Sequence, residues 1–112
     1  MSEKLTVIWT SRDKEVALNM AFMYAKNSKI RGWWETVDFV IWGPSDMLVV
    51  EDADIQEEIK ILQNVGVNVK ACVACARRYG VVKELEDLGI LVIPMGEPLT
   101  DDLKGEGKVI TI

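Results

Sequence analysis

Short apolar runs alternate with helical apolar spacing from one end of the chain to the other. Leu5-Thr-Val-Ile-Trp9, Val37-Asp-Phe-Val-Ile-Trp42, Val67-Asn-Val-Lys-Ala71, Ile90-Leu-Val-Ile93 and Lys108-Val-Ile-Thr-Ile112 each read as a strand. The second is closed by Gly43-Pro44 and the fourth, read as buried, by Pro94. Between strands the pattern turns helical. Thr10 and Ser11 read as cap residues, with Asp13 and Glu15 in the first turn of a helix. That helix, Val16 to Ala25, is apolar nearly all round, so one face meets a sheet and the other meets something else. Ser45-Asp46 caps a short helical or irregular piece through Val50. Asp54-x-x-Glu57 resembles a capping box before Ile55, Ile59 and Leu62, and Gly66 stops that helix. Val81 or Val82, Leu85 and Leu88 form another stripe closed by Gly89, and Pro98 to Leu103 a short helix.

Strands and helices in this alternation define an α/β protein, with a parallel sheet covered by helices on both faces. The 112 residues show no repeat, linker or low-complexity segment, and they read as one domain over 1–112. In such folds ligands and chemistry gather at the carboxyl ends of the strands. Thr10-Ser-Arg12, Gly43-Pro-Ser-Asp46, Cys72 onward and Pro94-Met-Gly96 share that edge. The order of the strands is not legible in the pattern.

Charge narrows the function classes. Thirteen basic residues against 18 acidic leave a net charge of −5. An acidic chain lacks the basic surface on which nonspecific nucleic-acid binding relies, so no direct nucleic-acid partner is expected. No apolar run approaches the ~20 residues of a membrane span, so no membrane partner is expected. Met1-Ser-Glu-Lys has no apolar run of the signal-peptide kind behind it, which points to a cytoplasmic protein with mostly reduced thiols.

Against that background the two cysteines, Cys72 and Cys75, are the candidate site. They form a Cys-x-x-Cys where the third strand ends and a helical turn begins. A thiol there sees free backbone N–H groups and the positive end of the helix dipole, both of which favour the thiolate. Cys72 is the better nucleophile candidate by its place at the strand end. Cys75 follows one helical turn later on the same face, and Arg77 and Arg78 add positive charge nearby. The bland alternative is that both are small buried hydrophobes. The chain has no histidine, so any nucleophile is activated by position rather than by an imidazole.

Other motifs carry less. Two cysteines and no histidine fall short of the four ligands of structural zinc, so no metal is expected in one chain. There is no Gly-x-Gly-x-x-Gly and no P-loop, and no cofactor is expected. Gly43-Pro-Ser-Asp46 has the place of a phosphate loop but reads better as a strand-end turn with a Ser or Asp cap. Glu51-Asp-Ala-Asp54 reads as a solvated helix start rather than a metal cluster. Trp9 and Trp42, at the ends of two strands, either wall the thiols or fill the core. Trp33-Trp34, in the polar segment from Lys26 to Glu35, either marks an interface or folds back over the core. With the all-apolar first helix it suggests self-association.

Taken in order, these stretches resemble the DsrE/DsrF-like family of small sulfur-relay and related proteins. The resemblance runs through Leu5–Trp9, Phe39-Val-Ile-Trp-Gly-Pro44, Gly66 to Gly80 around the cysteines, Leu88 to Gly96, and Leu99 to Ile112. It implies a three-layer α/β/α fold of flavodoxin-like appearance with a five-stranded, mostly parallel sheet. It also implies a homo-oligomer, commonly a trimer or hexamer. In the family's relay members the cysteine matching Cys72 takes sulfane sulfur as a persulfide from a sulfur-donor protein and passes it to a sulfur-acceptor protein. Cys75 matches a second cysteine present in some members. Three functions are carried forward: a sulfur carrier on Cys72, a Cys72/Cys75 dithiol redox protein, and a non-catalytic oligomeric binding module.

Overall fold

The computed structural model describes residues 3–112. Met1 and Ser2, on which part of the leader expectation rests, lie outside the described residues. Five strands form one sheet: β1 (Lys4–Trp9), β2 (Thr36–Ile41), β3 (Asn68–Cys72), β4 (Leu91–Ile93) and β5 (Lys108–Thr111). Every neighbouring pair is parallel, in the order β4-β3-β2-β1-β5. Helices fill each connection: α1 (Lys14–Val16) and α2 (Phe22–Ile30) joined by a π-helical turn (Ala17–Ala21), α3 (Ser45–Glu51), α4 (Ala53–Val65), α5 (Val73–Tyr79), α6 (Val82–Asp87) and α7 (Gly96–Lys104).

The order decides how the sheet is covered. Steps β1 to β2, β2 to β3 and β3 to β4 all move the same way across the sheet. Right-handed crossovers therefore put the helices of all three on one face, and the return from β4 to β5 puts α7 on the other. The buried clusters agree. Leu5, Val7, Trp9, Val37, Phe39, Ile41, Val69 and Ala71 meet Phe22, Ile55, Ile59, Leu62 and Leu85 of the helices in one large core. The alternate strand positions Ile8, Val40 and Cys72 form a smaller core with Met95, against which Leu99 of α7 packs. The expected α/β/α layers are present, with a single helix as the second outer layer.

Several local readings are corrected by hydrogen bonding. Asp13 caps α1, accepting from the N–H groups of Glu15 and Val16, because the helix opens only at Lys14 and so leaves Ser11 outside it. Thr10 instead donates its Oγ1–H to the Ile112 carbonyl. Asp52, two residues before the expected capping-box residue Asp54, accepts from Ile55 N–H and starts α4. Neither Ser45 nor Asp46 caps α3. β4 is an edge strand rather than a buried one, with Leu91 54% exposed. Gly66, at φ 99°, ends α4 where expected.

Candidate functional site

Cys72 is the last residue of β3 and stands at the N-cap position of α5, which opens at Val73. Strand alternation turns its side chain to the α7 face, where it is 5% exposed among Ile8, Val40 and Met95. Cys75, half-buried on the first turn of α5, packs against the same cluster. Both thiols are free. The sequence thus placed them correctly, on one face at the carboxyl edge of the sheet. Met95, from the loop after β4, and Trp42, from the turn after β2, complete the apolar surroundings. Trp9 is fully buried on the opposite face against Phe22 and Phe39, so of the two strand-end tryptophans only Trp42 lies with the thiols.

The two thiols differ in their environment. Burial pushes the Cys75 thiol above its ordinary value, and a hydrogen bond to Cys72 and the Cys72 charge push it further the same way. The Gly43 N–H works in the other direction, and the Asp46 charge adds a smaller upward push. Cys75 therefore holds its proton more tightly than an ordinary thiol.

The Gly43–Asp46 turn holds the residue that sequence reasoning missed. Ser45 Oγ donates to the Trp9 carbonyl oxygen at 2.7 Å, and Ser45 N–H donates to the Thr10 carbonyl oxygen at 3.1 Å. These bonds tie α3 to the end of β1 and carry Asp46 into the interior. Asp46 is fully buried, and neither carboxylate oxygen has a hydrogen-bond partner among the described residues. Burial alone pushes its carboxyl up to about 7. The sequence signal was a carboxylate in a strand-end loop beside the cysteine loop, and it was absorbed by the ordinary reading of Ser-Asp as a helix cap.

A recess of about 300 Å³ lies beside the thiol cluster, lined by Ile8, Thr10, Trp42, Leu99, Val109 and others between β1, β5 and α7. Its place, where the strand order reverses between β1 and β5, is the usual ligand position of open parallel sheets. Trp42 borders both the recess and the thiol cluster. Among the described residues no three of His, Cys, Asp and Glu gather as metal ligands, and no helix is long and apolar enough to cross a membrane.

Comparison with known proteins places this geometry. A conserved protein of unknown function from Bacteroides thetaiotaomicron is similar at 42% identity and a TM-score of 0.94, over 97% of this chain and 94% of that one. The ychN protein of E. coli shares the fold, with a TM-score of 0.73 at 17% identity over the whole of both chains. No curated protein resembles the chain closely enough to count as a match. The model of the DsrE/DsrF-like family matches residues 6–111, nearly the whole length, so the chain belongs to that family, one of sulfur-relay type.

Proposed function

We propose that this protein is a sulfur carrier that holds sulfane sulfur as a persulfide on Cys72 and passes it to a partner protein. The observation that carries the reading is the place of Cys72, at the end of β3 and the N-cap position of α5, with the Cys75 thiol on the first turn of α5 packed against the same apolar cluster. In loading, the Cys72 thiolate attacks the outer sulfur of a donor persulfide. A new Cys72 S–S bond forms, the donor S–S bond breaks, and the donor leaves as a thiolate. In delivery, an acceptor thiolate attacks the outer sulfur on Cys72, and Cys72 leaves as a thiolate. Sulfur moves without an external oxidant or reductant, and the apolar surroundings of Ile8, Val40 and Met95 keep water from the loaded sulfur. The donor and acceptor are proteins. The carrier works in the cytoplasm as a single-domain homo-oligomer, a trimer or hexamer.

Intact mass after incubation with a polysulfide donor tests the assignment. Wild type and Cys75→Ala should gain sulfur that reductant removes, and Cys72→Ala should gain none. Equal loading of wild type and Cys72→Ala would remove the proposal. The gathering of both free thiols at one apolar cluster also supports a second reading, a dithiol that cycles through a Cys72–Cys75 disulfide. That reading requires wild type to lose two protons under mild oxidant, with no sulfur gained from the donor.

A further inference from the structure

Cys72 stands where sulfur chemistry is expected, yet its side chain is only 5% exposed. Attack on or by its sulfur needs an open approach. In its buried cluster Ile8, Val40 and Cys72 belong to the sheet, so the buried cover comes from Met95, 2% exposed at the N-cap position of α7. Leu99, one turn into α7, packs on the same cluster and also lines the recess beside it. The Leu99 N–H donates to the Met95 carbonyl at 2.9 Å, which makes the cover and the helix one piece.

The elements around the thiol are held unequally. Trp42 stands on a turn pinned to the end of β1, where its N–H donates to the Trp9 carbonyl at 3.1 Å and the Ser45 hydroxyl to the same oxygen at 2.7 Å. α5 sinks Ala76 into the large core. α7 contributes no buried residue, and Leu103 in its last turn is 64% exposed. Among the described residues, the side-chain hydrogen bonds from α7 to the sheet are both made by Asp102. One carboxylate oxygen accepts from Lys4 Nζ at 2.8 Å and the other from Thr6 Oγ1 at 3.1 Å. The sheet side of this contact is well anchored, since Lys4 also pairs at 3.2 Å with the buried Asp38, which Lys70 holds at 3.0 Å. Lys4, Thr6 and Ile8 alternate along β1, so the Asp102 contact and the thiol cluster lie on one face of the sheet. An element with few buried contacts, tied at one charged point, opens at lower cost than the core beneath it.

We propose that Met95 and α7 form a lid over Cys72, latched to β1 by Asp102, which lifts to admit a sulfur donor or acceptor and closes over the loaded sulfur. Asp102 is a positioning residue: it touches no reacting atom and sets how often the lid is open. The role rests on the carrier reading for its purpose, and it deepens that reading by naming what controls access to the sulfur. Closure keeps water and small thiols from the persulfide between partners. Opening joins the thiol site to the recess, because Leu99 borders both.

Alkylation of Cys72 tests the lid without sulfur chemistry. In a Cys75→Ala background, modification of the native protein by iodoacetamide is followed by intact mass. Asp102→Ala should raise the rate severalfold, and Asp102→Asn, which keeps the shape but loses the charge facing Lys4, by a smaller factor. Asp87→Ala, which removes a surface pair with Lys83 on α6, should leave the rate unchanged. Hydrogen exchange separates a lid from general loosening: in both Asp102 variants the amides of 96–104 should exchange faster while those of α4 keep their protection. An alkylation rate indifferent to Asp102 would overturn the inference, and so would an equal loss of protection in α7 and α4. Loading from polysulfide should quicken in Asp102→Ala by the same factor as alkylation, because both wait on one opening. If the parent protein takes up no sulfur, the carrier reading falls, and the alkylation and exchange results still decide whether α7 is a lid.

Discussion

At the scale of single residues the charged side chains sort into satisfied and unsatisfied burials, and the two behave oppositely with pH. Burial works to raise the carboxyl of Asp38, but Asn68 at 2.9 Å, Lys70 at 3.0 Å and the nearby Lys4 outweigh it and hold the group below its ordinary value. Its contribution is present above the unfolded carboxylate pKa and is lost as pH falls through the lower folded value. Asp46 runs the other way. Its carboxyl stands at about 7 against 3.8 unfolded, so between those values the native state holds a proton that the unfolded state has released. Stability therefore falls as pH rises from about 4 to 7, by on the order of 4 kcal/mol at most, and then levels off. Asp46→Asn should flatten that fall when urea midpoints are compared at pH 5 and pH 8. Any cost of the buried amide is independent of pH and shifts the whole curve without restoring the slope. An unchanged slope in the variant would mean that Asp46 does not titrate in this range.

At the scale of elements, helix ends decide what was legible beforehand. Gly66 was readable because the position needs positive φ, at 99°, and because its neighbours complete the motif. Val67 N–H donates to the Leu62 carbonyl at 3.0 Å, and both side chains are buried. Gly66→Ala should cost about 1–2 kcal/mol from left-handed backbone alone, with Lys29 Cε, 3.2 Å from the added carbon, free to move aside. A lower urea midpoint at unchanged m-value is the expected result, and an unchanged midpoint would show that the turn relaxes. Helix starts were less legible, since Asp13 and Asp52 cap where Ser11 and Asp54 also qualify by residue type. Propensity cannot separate acceptors two residues apart, because the choice depends on how far the preceding strand carries the chain. The strands were legible because each is a short apolar run between helical patterns, buried on both faces in β1 and β2. Their order was not, because parallel pairing depends on crossovers between segments whose patterns are interchangeable. Asp46 was hidden for a related reason: its burial comes from Ser45 binding the end of β1, a contact between loops 36 residues apart in sequence.

At the scale of the whole molecule the asymmetry of the layers governs where another chain can bind. The helix running through 14–30 buries Ala17, Ala21, Phe22 and Ala25 against the large core. Its opposite face leaves Met20 40% and Met23 46% exposed. The tryptophan pair divides across this boundary. Trp34 packs inward and donates its Nε1–H to the Tyr24 hydroxyl at 3.2 Å, while Trp33 stays 51% exposed. Met20, Met23, Tyr24 and Trp33 thereby line a shallow apolar groove of about 180 Å³ flanked by Asn19 and Asn27. An apolar patch rimmed by amides is suited to burial against another protein surface. If the proposed homo-oligomer uses it, Met20→Lys combined with Trp33→Glu should lower the mass measured by light scattering to that of one chain. The buried core, which lies on the other side of the helix, should keep its thermal midpoint as a monomer within a few degrees. A mass unchanged by both substitutions would exclude this groove as the interface. The sparsely covered sheet face beside α7, with Trp42 and Leu103 at its recess, would then be the surface to substitute next. Because the thiols open toward that second face, an oligomer built on the helix groove leaves Cys72 facing away from the interface. Sulfur loading should therefore survive in the monomeric variant, and its loss there would tie the site to the assembly.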